Sequence, residues 1–115
     1  MKMTNIEAWS CLQTAANIRE SGKLGFAIAK NMRKLSNELV EYDAKRRELI
    51  QTYGTDLGDG RFSFSPEAAE RFNAEISEYD SMTFDFEPMT VSEEVFCGGN
   101  LTSDQMYALM WMCQE

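Results

Sequence analysis

LGFAIAKNMRKLSNELVEYDAKRRELIQTY, residues Leu24–Tyr53, is the stretch that decides the fold. Apolar or aromatic residues recur in it at Ile28, Met32, Leu35, Leu39, Tyr42, Leu49 and Tyr53, and Arg46 stands where the series would otherwise skip a step. Steps alternating between four and three place side chains on one stripe of an α-helix, because 3.6 residues make a turn. Sustained this long, the pattern is that of a heptad seam, along which two helices pack side by side. The expectation is one long central helix over residues 24–53, spanning about 45 Å at 1.5 Å per residue. Other elements must lie along it.

Outward from the seam, Thr4-Asn5-Ile6-Glu7 has the form of a capping box and opens a first helix to about Arg19, with Ile6, Trp9, Leu12 and Ala16 as its apolar stripe. Ser21-Gly22 breaks that helix, and Ser21 is placed to cap the next one. A connection this short makes an antiparallel helical hairpin. At the other end, Gly54 stands where a left-handed residue commonly closes a helix, and Asp59-Gly60 suits a tight turn. Arg61–Ser65 alternates polar and aromatic residues, as a half-buried strand does. Ser65-Pro66-Glu67 starts a further helix, with Ala69, Phe72, Ile76 and Tyr79 inward, ending near Asp80. Met82–Glu87 alternates again and reads as a second strand ended by Pro88. Val91, Val95 and Phe96 fit either a third strand or an irregular turn. Thr102-Ser103-Asp104-Gln105 is another capping box, opening a helix to the C-terminus. The order predicts an α+β fold in one domain, residues 1–115: the hairpin with its long helix, a small two- or three-stranded sheet and two further helices. A seam with only a short neighbouring helix also predicts a homodimer, in which a second copy completes it.

Charge is distributed unevenly. Residues 1–65 hold ten Lys/Arg and eight Asp/Glu, whereas residues 66–115 hold eleven Asp/Glu and the single base Arg71, within a net charge of −8. A surface of one sign repels nucleic acid and attracts basic proteins. The acidic candidates for partner binding are Glu67, Glu70, Glu75 and Glu78 on the helix from Pro66, and Asp85 and Glu87 on the strand after it. The basic run through Lys30, Arg33, Lys34, Lys45, Arg46 and Arg47 is interleaved with Glu38, Glu41, Asp43 and Glu48, which predicts a salt-bridged exposed face rather than a direct nucleic-acid contact. The apolar C-terminal stretch containing Met110 and Trp111 is buried either in the core or in a partner.

Chemistry-bearing motifs are scarce. There is no histidine, and the glycine pairs lack the spacing and the lysine of a phosphate loop. Cys11, Cys97 and Cys113 match neither a disulfide framework nor a zinc site, and reduced thiols point to a cytoplasmic protein. No signal-peptide block or membrane span is expected. No catalytic residue, metal site or cofactor is assigned, and the expectation is a protein that is not an enzyme.

The run Ala27-Ile28-Ala29-Lys30-Asn31-Met32-Arg33-Lys34-Leu35, then Glu41-Tyr42-Asp43-Ala44-Lys45-Arg46-Arg47-Glu48-Leu49-Ile50-Gln51-Thr52-Tyr53-Gly54 and Asp59-Gly60, resembles small phage-encoded proteins of uncharacterised function. The resemblance covers about residues 24–64. It implies a phage or prophage origin and brings no catalytic residue with it. Acting in a host cell, such a protein is expected to occupy a basic nucleic-acid-binding surface of a host protein, as an anti-CRISPR-like, anti-defence inhibitor does. Two alternatives stay open. One is a ligand-binding protein that sequesters a nucleotide signal through Arg33, Tyr42 and Arg46, and the other is a virion assembly factor.

Overall fold

The seam forms, but in two helices rather than one. The structure, a computed structural model, describes residues 1–114, so the expected helical end at Glu115 lies outside the described residues. Helix α1 runs Asn5–Ala15, α2 Gly22–Glu38 and α3 Val40–Tyr53. The single helix expected over 24–53 is therefore interrupted at Leu39, whose φ of −93° and ψ of 9° lie in the sparsely allowed bridge region. Neither proline nor glycine stands near the break. Leu39 is buried, and its N–H still reaches the Leu35 carbonyl at 3.0 Å while its own carbonyl accepts from Asp43 N at 2.8 Å. The bend follows from packing: α2 lies against α1 and the C-terminal segment, α3 against a later helix, α4 (Pro66–Asp80).

The stripe itself is as read. Ile28, Leu35, Leu39, Tyr42 and Leu49 are buried, and Met32, Arg46 and Tyr53 are half-buried. Ala15 and Ile18 flank Ile28 while Trp9 meets Tyr42, so α1 runs antiparallel to the α2–α3 pair. The seam that a second copy was expected to complete is covered by α1, α4 and the C-terminal segment of the same chain.

Local capping signals placed most helix starts correctly. Thr4 accepts from Glu7 N at 3.1 Å, Ser65 from Ala68 N at 3.1 Å behind Pro66, and Thr102 with Gln105 forms a full capping box. Ser21 occupies the N-cap of α2 but makes no side-chain capping bond; Gly22, at φ +68°, turns the chain into the helix instead. Gly54 is extended (φ −87°, ψ 158°) rather than left-handed, because the chain passes directly into a strand.

The sheet is corrected to two separate antiparallel pairs. Strands β2 (Thr55–Asp56) and β3 (Phe62–Ser63) form a hairpin, with Thr55 opposite Ser63. Strand β4 (Thr83–Asp85) pairs with β1 (Lys2–Thr4), Met3 facing Phe84. The two Phe-x-Phe segments thus do not pair with each other. Val91 makes a parallel bridge to Cys113, followed by a short helix, α5 (Glu93–Cys97). The final helix is α6 (Ser103–Ala108), continued by a 3-10 turn at Met110–Met112. Beyond the hairpin there are three short or medium helices rather than two.

Two apolar clusters fill an elongated molecule of 49 × 29 × 22 Å. The first joins Met3, Ala8, Cys11, Leu35, Leu39, Tyr42, Leu49, Ile76 and Phe86. The second joins Leu24, Ala27, Ile28, Val91, Phe96, Leu101, Leu109 and Met112. Met32 and Trp111 touch both clusters, of which the first spans the bend and the second lies along the first turns of α2.

Candidate interaction surface

Helix α4 carries the acidic surface. Its inward side is fixed by Ile76, only 5% exposed, with Phe72 and Tyr79 half-buried beside it. At 3.6 residues per turn, Glu67, Glu70 and Glu78 fall opposite Ile76, together with Arg71 and Ala74, and all five are exposed. The three glutamates extend over about 16 Å of helix axis, and Glu67, Glu70, Arg71 and Ala74 line a shallow hollow. None of the three takes part in an ion pair among the described residues.

The other predicted acids are arranged differently. Glu75 is turned towards α3, where it accepts a hydrogen bond from the Tyr53 hydroxyl and raises that phenol's pKa. Asp85 lies 3.4 Å from Lys2 Nζ across the β1–β4 pair. Glu87 is exposed beyond β4, and its backbone carbonyl accepts from Lys34 Nζ at 3.1 Å. The structure therefore gathers Glu67, Glu70 and Glu78 on one face and assigns Glu75 and Asp85 local partners.

The residues proposed for a nucleotide do not converge. Arg33 is exposed on α2. Tyr42 and Arg46 do meet, under a layer of their own contacts. Arg46 lays its guanidinium 4.8 Å from the centroid of the Trp9 ring, Trp9 stands edge-on to Tyr42 at 5.8 Å, and the Tyr42 hydroxyl donates to Asp80. Burial, then the Asp80 carboxylate, pushes the Tyr42 phenol up to about 12. Arg46 takes the stem-across-the-core role open to a seam arginine, with a cation–π contact in addition.

The C-terminal segment is part core and part exposed surface. Leu109 and Met112 are fully buried, whereas Tyr107 is 85% and Met110 54% exposed. Trp111 is half-buried, stands edge-on to Phe86 at 5.4 Å and lines a groove of about 520 Å³ with Met3, Ile6, Cys11 and Tyr107. Its indole N–H is buried with no oxygen or nitrogen acceptor among the described residues and lies beside the Cys11 thiol, whose pKa is raised mainly by burial.

The basic run also splits at the bend. On α3, Arg47 bridges Asp43 at 3.1 Å and Lys45 bridges Glu48 at 3.5 Å, as the interleaving predicts. On α2 no cation has a carboxylate partner among the described residues. Sequence reasoning missed Asn31, a fully buried polar residue within the seam. Its amide donates to the Met89 carbonyl at 2.9 Å and its side-chain oxygen accepts from Met89 N at 2.7 Å. The available signal was a polar residue on an apolar stripe, although its partner lies 58 residues away.

Among the described residues, no group of three or more Cys, Asp or Glu is arranged to hold a metal ion. No helix among the described residues is long and apolar enough to cross a membrane. No family model, curated protein or solved structure matches the chain.

Proposed function

We propose that this chain is a non-enzymatic, phage-derived interaction protein that uses the outer face of α4 to occupy a basic, nucleic-acid-binding surface of a host protein, in the manner of an anti-defence inhibitor. The observation that carries the reading is the set of three exposed glutamates, Glu67, Glu70 and Glu78, on the side of α4 opposite Ile76. Fixed carboxylates on a rigid helix present negative charge in a row, as a nucleic-acid backbone does, and such complementarity acts first on the association rate. Arg71 on the same face supplies the one contrasting charge, which fixes the register of a partner's cations.

The test is inhibition of a purified RNA-guided DNA nuclease, measured by DNA binding, with wild type and the triple variant Glu67→Lys, Glu70→Lys, Glu78→Lys. Wild type should block DNA binding and associate more slowly as salt rises. The triple variant should keep its melting temperature, since exposed substitutions cost little, and lose inhibition by at least an order of magnitude. Unchanged inhibition by the folded variant would remove α4 as the mimic. Glu75 is spared because Tyr53 uses it.

A further inference from the structure

A second surface lies at the opposite pole of charge. The outer face of α2 presents Lys23, Lys30, Arg33 and Lys34, all exposed, and Glu38 at its last turn is the helix's first acid. Beside this face runs an apolar groove of about 640 Å³ between α2 and the segment 89–95, walled by Phe26, Met89, Val91 and Val95. Phe26 is 60% exposed although it forms one wall. The groove is built rather than incidental. Asn31 clamps both backbone groups of Met89, while Val91 N donates to the Met112 carbonyl and its own carbonyl accepts from Gln114 N, each at 2.8 Å. The 89–91 strap is thus held on both sides.

Cations stand along the α2 side of the rim. Lys23 lines the groove, Lys30 Nζ lies 6.0 Å from the Phe26 ring centroid, and Lys34 reaches the Glu87 carbonyl two residues before Met89. The first turn of α2 opens at the same place, with no side-chain cap from Ser21 and no acid to meet its free N–H groups.

We infer that this groove and its cationic rim form a docking site for an acidic peptide segment of a partner protein, with one apolar side chain inserted beside Phe26 and carboxylates directed at Lys23 and Lys30. Charge complementarity selects the occupant. An exposed aromatic at the mouth of an apolar groove anchors a side chain, and cations with no carboxylate partner among the described residues favour an anionic chain. The spacing narrows the motif. Seven helical residues separate Lys23 from Lys30, about 10 Å, which an extended peptide covers in about three residues. The matching segment therefore carries two acidic residues about three positions apart with a large apolar residue between them. A nucleic-acid strand, with one charge on every residue and no aliphatic side chain for the groove, meets more repulsion from the net charge of −8 than a segment with two carboxylates does.

The experiment is fluorescence anisotropy with a labelled probe peptide, Gly-Glu-Leu-Ser-Glu-Gly, its Leu→Ser version, and a single-stranded oligonucleotide of equal length. The leucine peptide should bind the full chain with salt-sensitive affinity. Phe26→Ala and the pair Lys23→Glu, Lys30→Glu should each weaken it at least tenfold. The α4 triple variant should still bind it, which separates failure here from failure of the acidic face. Circular dichroism melts confirm that the variants fold, and exposed sites predict that they do. Equal binding of the serine peptide would overturn the groove as the anchor. Tighter binding of the oligonucleotide, lost in the same variants, would make this a nucleic-acid face and overturn the proposal, as would no peptide binding by wild type.

Discussion

The two sides of the Leu39 bend solve the same packing problem by different means. On the α3 side, two regular helices lie together and the polar groups at their junction find one another: Tyr42 with Asp80, Tyr53 with Glu75, and Lys45 over the Tyr79 ring at 5.3 Å. On the α2 side the cover is a series of short segments, and they are held through backbone groups: Asn31 on Met89, Glu20 accepting from Asn100 N at 3.0 Å, and the Val91 strap. Gly99 lets the segment at Asn100 close onto α2, since a Cβ there would stand 2.5 Å from Leu24 Cδ2. The difference teaches where charge remains available. Every cation on α3 meets a carboxylate or an aromatic ring of the fold, whereas no cation on α2 has a carboxylate partner among the described residues.

The largest effects should come from the two apolar clusters, one along the first turns of α2 and one spanning the bend. Phe96→Ala, in the cluster beside α2, should cost about 3–5 kcal/mol, and Leu39→Ala, at the bend, about 2–5 kcal/mol, because both residues are almost fully buried. Exposed Asn37→Ala should cost within about 0.5 kcal/mol. Chemical denaturation of the three variants decides this. A Leu39→Ala variant as stable as Asn37→Ala would mean that the bend is not held by packing.

Asn31→Leu sharpens the contrast at the next level. The substitution keeps the branched heavy-atom skeleton but strips the Met89 N–H and carbonyl of their partners, and each orphaned buried group costs about 1–3 kcal/mol. Amide exchange should accelerate selectively at Met89 and Val91 while α3 and α4 stay protected. Uniform acceleration across both halves would show that the two sides unfold as one unit.

These contrasts also mark what the sequence made legible. The stripe from Ile28 to Tyr53 was readable because a period near 3.5 is a local signal, and the caps at Thr4, Ser65 and Thr102 act over three residues. The break at Leu39 was not, since leucine fits both the helix and the stripe, and the cause lies in which elements each half covers. Strand β1 was hidden for a related reason. Three residues carry no periodicity, and the partner Thr83–Asp85 lies some eighty residues on. Of the candidate site, the α4 acids were readable from helical spacing, but the loss of Glu75 to Tyr53 and of Asp85 to Lys2 depends on neighbours that the spacing does not reveal. The unpaired cations of α2 were obscured by the acids of α3, which are near in sequence and beyond the bend.

The buried phenol gives a pH signature confined to the α3 side. Tyr42 ionises at about 12 in the folded chain against an ordinary value of 10.0. A pKa raised by folding contributes stability that is fully present below the unfolded value and is lost as pH rises through the folded one. Wild type should therefore lose stability between about pH 10 and 12, and Tyr42→Phe should flatten that limb while costing about 1.5–3 kcal/mol at neutral pH, the range for a hydrogen bond to a charged group. Denaturation midpoints across alkaline pH make the measurement. An identical alkaline limb in Tyr42→Phe would place the ionisation elsewhere.

The smallest expected effects are opposite in sign, which is what gives them value. Arg47 bridges Asp43 one turn earlier on α3, so Arg47→Ala should destabilise by about 0.3–0.5 kcal/mol, the worth of an exposed helical pair. Lys30 stands one turn before Lys34 and near Lys23 and Arg33, with no carboxylate paired to them among the described residues. Like charges at that spacing repel by a similar amount, so Lys30→Ala should be neutral to stabilising by a few tenths of a kcal/mol. Both effects should fade at 1 M salt, where screening acts over about 3 Å. Paired melts of the two variants at low and high salt read the signs directly. A stabilising Lys30→Ala identifies α2 as a face that carries charge against its own stability, as a docking surface does. A destabilising Lys30→Ala that persists in salt would instead make Lys30 part of the fold through its contact with Phe26, and the charge contrast across the bend would disappear.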